Sequence, residues 1–345
     1  MSLDIKYAYV LPKAFSLKAS LLSRQKIYEL ARMNNLEEFV SSLNILEGYK
    51  GCFNDIKNLS ATSIERKLIL KLIETERKFI EWSPREESLF LSVFFRRHEI
   101  TNMKAMIHGR ISGLSLREIN RYIIVEVEQV LGHEDIIKRL RSIGKEEITF
   151  VLRELGYPVN LGEVLPRILE TGDYYLIDAY LNRGFLHILQ DNIGKLSEPN
   201  RGLCHYVFSV LIDMHNVINI LRGKLWQLST EEILDLIVEP KVGVINYEHL
   251  MKMINEKSLS SCINLLKDTQ YHHISKKRKI EDIEKEFRKF YYLRAEELFK
   301  GNMFSIGPLL GSIMLREREI KTLIAIAYGI ERKLPFEILK EELLV

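Results

Sequence analysis

The chain has 345 residues, of which 46% are hydrophobic and 28% charged, with 50 basic and 47 acidic side chains for a net charge of +3. A chain of this length and composition is not disordered, and it buries about three quarters of its unfolded surface without help from a disulfide or a metal. The charge balance argues against a dedicated nucleic-acid binder. No stretch approaches about 18 uninterrupted apolar residues. The most apolar region, residues 207–221, is broken by Asp213, His215, Asn216 and Asn219. Cys52, Cys204 and Cys262 lie far apart and are expected to be reduced thiols in a reducing compartment. Asp4, Lys6, Pro12 and Lys13 interrupt any signal-peptide core, so composition points to a soluble intracellular chain.

In chain order, nearly every segment carries helical periodicity. Ile64, Leu68 and Leu72 recur at helical spacing with Ile69, Ile73 and Ile80 beside them, and Thr62 with Glu65 is expected to form a capping box. Ser83, Pro84 and Glu86 mark the next helix start. Strand-like alternation is scarce, and its best candidate, residues 147–152, is short and sits inside a helical pattern. Ile280, Ile283, Phe287, Phe290, Tyr291 and Leu298 again show helical spacing. The fold class expected is all-α.

Two stretches align without a gap. The first contains Glu99, Asn102, Gly109, Arg110, Leu114, Ser115, Glu118 and Ile119. The second contains Asp213, Asn216, Gly223, Lys224, Leu228, Ser229, Glu232 and Ile233. A third, with Glu319, Leu323, Ile326, Gly329, Leu334, Pro335 and Ile338, departs from them: Thr322 stands for Asn, Pro335 for Ser, and the last Ile comes one position early. The acid, the Asn and the Gly share one helix face. The glycine is expected to take a left-handed conformation that closes the helix. Leu–Ser–x–x–Glu–Ile then specifies a capping box with a hydrophobic staple. A looser element precedes each copy: Ile27 to Tyr49, Ile136 to Tyr157, and Tyr247 to Tyr271. The expected division is three similar helical units, 1–125, 126–240 and 241–345, with boundaries near Gly132–His133 and at Pro240–Gly243.

These residues carry a resemblance. Tyr7-Ala8-Tyr9 with Lys18 and Leu21-Leu22, Asp213 to Asn216, the spacing from Asn216 to Arg222, and Glu319-Ile320-Lys321 leading to Leu334-Pro335 are similar to the C subunit of the archaeal and bacterial A/V-type ATPases, the counterpart of the d subunit in the vacuolar proton pump. The likeness spans residues 7–343. It implies three helical bundles in a pseudo-threefold funnel, with the D and F subunits of the central stalk on the wide side and the membrane proteolipid ring on the other. It also implies a peripheral rotor adaptor at the cytoplasmic face, with no cofactor, small-molecule substrate or catalysis of its own. A free-standing helical protein-binding scaffold is the alternative.

Sharper chemistry finds little support. Gly144-Lys145, Gly194-Lys195 and Gly223-Lys224 are followed by Glu or Leu, so none is a phosphate-binding P-loop. His98-Glu99 and His133-Glu134 begin like a zinc-protease motif, but Asn102 and Ile137 stand where the second histidine is needed. His205, His215, His272 and His273 lack partners at metal-ligand spacing. Glu99, Asp213 and Glu319 are like groups at equivalent repeat positions, whereas catalysis needs unlike groups in one place. They either hydrogen-bond neighbouring segments or line the funnel axis. The run Lys276 to Lys279 is followed by Glu281, Glu284 and their basic partners, which makes a solvated face, with anionic headgroups or an acidic stalk surface as the other reading. The connectors after the glycines, bearing Arg110, Lys224 and Arg332, are expected at one end of the funnel as interface segments.

Overall fold

A computed structural model describes residues 7–135, 148–158 and 172–344 and the single positions 166, 168 and 170. Ile136, Ile137, Leu140, Gly144, Lys145 and Glu147 of the patterns above lie outside the described residues. Every regular element among those described is helical. In chain order they are α1 (Val10–Ala19), α2 (Arg24–Ala31), α3 (Leu36–Asn44), α4 (Ala61–Trp82), α5 (Arg85–Ile111), α6 (Leu116–Ile119), α7 (Val125–Leu131) and α8 (Ile148–Glu154). There follow α9 (Tyr175–Ile193), α10 (Asn200–Leu225), α11 (Thr230–Leu234), α12 (Tyr247–Asn255), α13 (Leu259–Asn264), α14 (Ile280–Glu297), α15 (Gly307–Glu331) and α16 (Phe336–Glu342). Residues 148–152 of the strand-like stretch lie in helix α8, in keeping with the helical pattern around them.

The chain forms two compact units. One joins Met1–Leu91 to Ala295–Val345, and the other is Ser92–Arg294. In the first, Leu30, Phe39, Leu43, Ile64 and Leu68 pack with Leu323, Ile326 and Ala327 of α15. Burying such side chains contributes about 1.5–3 kcal/mol each, so the two ends of the chain share one core. In the second, α10 is the central helix. It is the one described helix long and apolar enough to cross a membrane, yet 72% of its apolar window is buried inside the protein. Its Asp213, His215, Asn216 and Asn219 are buried as well. All four make hydrogen bonds, so they are core polar groups.

Several local expectations are corrected. The cap of α4 is Ser60 with Ser63, not Thr62 with Glu65. Glu65 instead accepts from the Tyr328 hydroxyl at 2.6 Å. Gly109, Gly223 and Gly329 do not close their helices in a left-handed conformation. They lie inside α5, α10 and α15, and the positive-φ residues come four positions later: Gly113 (φ 73°), Gln227 (φ 57°) and Lys333 (φ 54°). At each end the next residue's N–H, from Leu114, Leu228 or Leu334, returns to the glycine carbonyl at 2.9 Å. This is a Schellman closure repeated three times.

The glycines serve a close approach instead. A Cβ on Gly109 would stand 2.6 Å from Ile119 Cγ1, on Gly223 2.6 Å from Ile233 Cγ1, and on Gly329 2.8 Å from Leu339 Cδ1. The third copy therefore keeps the spacing. Leu339, 3% exposed, takes the staple position, and Ile338, 54% exposed, points away. The capping boxes Ser115–Glu118 and Ser229–Glu232 are present and hold the staple residues over the glycines. Gly223→Ala gains about 1 kcal/mol of helix propensity but forces a methyl into the isoleucine. A net loss of about 1–3 kcal/mol is expected, read as a lowered thermal midpoint.

Candidate functional site

The three repeat acids are buried, and each accepts a hydrogen bond from a tyrosine of the looser repeated element. The Tyr157 hydroxyl donates to Glu99 at 2.5 Å, Tyr271 to Asp213 at 2.7 Å, and Tyr49 to Glu319 at 2.5 Å. In the first two pairs the tyrosine follows the acid by 58 residues. In the third, the tyrosine of the N-terminal segment meets the acid of the C-terminal helix within one unit. In each pair the tyrosine comes from a segment outside the acid's own helix. The Asn positions form a second clasp. Asn102 donates to the Ile124 carbonyl and accepts from its N–H, both at 2.9 Å. Asn216 does the same to Val238, both at 2.8 Å. Thr322, in the third copy, returns its hydroxyl to the Arg318 carbonyl of its own helix at 2.9 Å.

The surroundings of the acids differ. Glu99 also meets Arg96 Nε at 3.1 Å and His133 Nδ1 at 2.6 Å. Burial pushes its carboxyl up, but His133, Tyr157 and Arg96 together hold it below the usual range. Nearby Glu128, tied to Asn102 at 2.9 Å, is pushed up to about 7 by burial. The hydrogen bond between His133 and Glu99 raises the His133 imidazole. Asp213 has no arginine one turn earlier, where Val210 stands. It accepts from the Val244 and Ile245 N–H groups at 3.0 and 3.2 Å, and burial pushes it up to about 7 against these bonds. Glu319 pairs with Arg316 at 2.5 Å and accepts from the Leu22 N–H. Burial raises Tyr49 and Tyr157 well above the ordinary tyrosine value, so both remain hydroxyl donors.

Glu99, Glu128 and His133 place one ligand atom each within 4.8 Å of one another. They are poorly suited to a metal. Glu99 Oε1 is held by His133 and Oε2 by Arg96 and Tyr157. The guanidinium already supplies the positive charge that a cation would bring. Glu99 and His133 form a hydrogen-bonded pair, and Glu128 stands beside them held by Asn102. No P-loop fold is formed at Gly223, which lies inside α10. His215 Nε2 lies 2.9 Å from the Leu236 carbonyl, and His272 stacks edge-on against His273 at 5.7 Å.

The connector residues expected at an interface also have contacts within the chain. Lys224 donates to the carbonyls of Ile254 (2.7 Å) and Glu256 (2.5 Å), so it anchors the end of α12. Arg332 lies 5.7 Å from the Tyr328 ring centroid, and Arg110 ends α5 as a basic residue at the negative end of the helix dipole. Phe94, Phe95 and Tyr292 are core residues, and Cys52, Cys204 and Cys262 are outside any disulfide. The sequence reading missed the tyrosine partners, Arg96, Arg316, His133 and Glu128. The recurrence of Tyr49, Tyr157 and Tyr271 in step with the acids was the signal that could have found the tyrosines.

Fold and site together define an all-α repeat protein in which like polar clasps recur at like positions. Known proteins resemble this chain in sequence over most of its length. The family model of the ATP synthase (C/AC39) subunit matches residues 12–342, and the chain belongs to that family. Similar relatives include the C subunit of the A-type ATP synthase of Methanocaldococcus jannaschii, 26% identical over 96% of this chain and 85% of the relative. Those of Pyrococcus furiosus and Methanothermobacter thermautotrophicus are 24% and 25% identical, over 97% and 89% of this chain and 89% and 79% of theirs. By family the chain is a component of a rotary ATPase, a membrane-associated complex.

Proposed function

We propose that this chain is a non-catalytic central-stalk component that couples the rotating shaft to the membrane proteolipid ring of an A/V-type ATPase. It would move with the rotor at the cytoplasmic face, with the D and F subunits of the stalk on one side and the ring on the other. The observation that carries the reading is the triplicated clasp of a buried acid, its tyrosine and the glycine staple. Like groups at equivalent places serve stiffness, and a torque-bearing adaptor must be stiff; catalysis would need unlike groups converging in one place. The relatives' description as C subunits of A-type ATP synthases supports it.

The same triplication supports three similar bundles, with sequence divisions at 1–125, 126–240 and 241–345, set around a pseudo-threefold funnel. The helix-end connectors then supply a docking end. In one unit Leu114, Leu225 and Trp226 are exposed at helix ends, and in the other Leu334 is. Seating at both ends calls for interfaces on the order of 2,000 Å² or more.

The test is co-expression with the shaft pair and the ring. The expected result is co-purification with both and no ATP hydrolysis by the isolated chain. Indifference to both partners would overturn the reading and favour a free-standing scaffold.

A further inference from the structure

Among the three acid sites, the one built on Glu99 has a different set of titratable neighbours. Glu99 faces Arg96 from its own helix, Tyr157 from the segment after α8, Glu128 from α7 and His133 from the exit of α7. Asn102, on the same face of α5, holds both the Ile124 backbone and the Glu128 carboxyl. Asp213 is met by Tyr271 and two backbone N–H groups, and Glu319 by Arg316, Tyr49 and one backbone N–H. Among the described contacts, neither of these acids has a second carboxyl or an imidazole in its cluster.

We infer that the Glu99 cluster is a proton-linked clasp, which holds the segment from Ile124 to His133 against α5 while Glu128 and His133 carry their protons and slackens when both protons leave. The charge count gives the reason. With both protons in place, Arg96 and His133 are two positive charges around one carboxylate. Without them, two buried carboxylates face one guanidinium. Like charges brought together out of water repel strongly.

Both titrations act in the same direction. Glu128, raised to about 7 by burial, supports the folded clasp below its ordinary range and loses that support as pH rises toward and through 7. His133, raised by its hydrogen bond to Glu99, contributes below the ordinary histidine value and is lost as pH rises past its folded value. Glu99, held low, sets the opposite edge, and its support is lost only in acid. His133 is part-exposed, which gives protons a route to solvent.

The test follows the Ile124 amide, which donates to Asn102 and so reports closure directly. Hydrogen exchange of the full chain is compared at about pH 6 and about pH 8.5, corrected for intrinsic base catalysis. Protection is expected to fall roughly tenfold or more in the parent. In Glu128→Gln the fall should shrink, and at the higher pH this variant should be better protected than the parent, because the repulsion is gone while Asn102 keeps an acceptor. His133→Gln should remove the remaining part. Flat protection in the parent, or the same fall in Glu128→Gln, overturns the inference. A carbon-13 carboxyl titration of Glu128 in the parent chain needs no variant. A midpoint near neutrality supports the clasp, and one in the ordinary carboxylate range overturns it.

Discussion

Glu319→Ala is expected to unfold about 3–5 kcal/mol more easily than the parent chain. Glu319 and Arg316 are only 4% and 3% exposed and pair at 2.5 Å. The same carboxylate accepts from the Tyr49 hydroxyl and the Leu22 N–H, and Arg316 also reaches Ser20 Oγ at 2.7 Å. Truncation leaves a buried guanidinium without its counter-charge and strands two donors of the N-terminal segment on the C-terminal helix. A denaturant midpoint on the parent and variant checks this, and a loss below about 1 kcal/mol would mean the pair behaves like a surface bridge. Tyr49→Phe should couple to it, with a double-mutant interaction of at least about 0.5 kcal/mol.

Asn216→Ala is expected to cost about 2–4 kcal/mol, because it leaves both the buried N–H and the buried carbonyl of Val238 unpaired. The third copy supplies an internal control. Thr322 bonds only to its own helix, so Thr322→Ala should cost far less. Thermal melts of the two variants side by side decide the matter. Equal losses would show that the asparagine is not a clamp.

Much of this architecture was legible in the residues. The all-α class followed from periodicity, and the capping boxes at Ser115 and Ser229 from adjacent letters, because a cap is a local contact three residues long. The acid, Asn and Gly face was readable because helical spacing alone places those positions together. The role of the glycines was not. Helix closure falls four residues further on, at Gly113, Gln227 and Lys333. No local rule singles out Gln227 or Lys333 for a left-handed turn. In the third copy the like residue, Ile338, is the natural sequence choice for the staple, whereas packing over Gly329 selects Leu339.

The sequence by itself determined the helical class, the triplicated pattern and the family resemblance, all of which rest on intervals along one chain. Only the tertiary structure decided which tyrosine each acid holds, that Arg96 and Arg316 neutralise two of the acids while Asp213 has Val210 at the equivalent position, and that Glu128 and His133 gather around Glu99. The reason is physical. A helix or a cap is fixed by neighbours within a turn, but a buried carboxylate takes whatever partner the fold brings within hydrogen-bonding reach, and that partner lies 58 residues away in two sites and at the other end of the chain in the third.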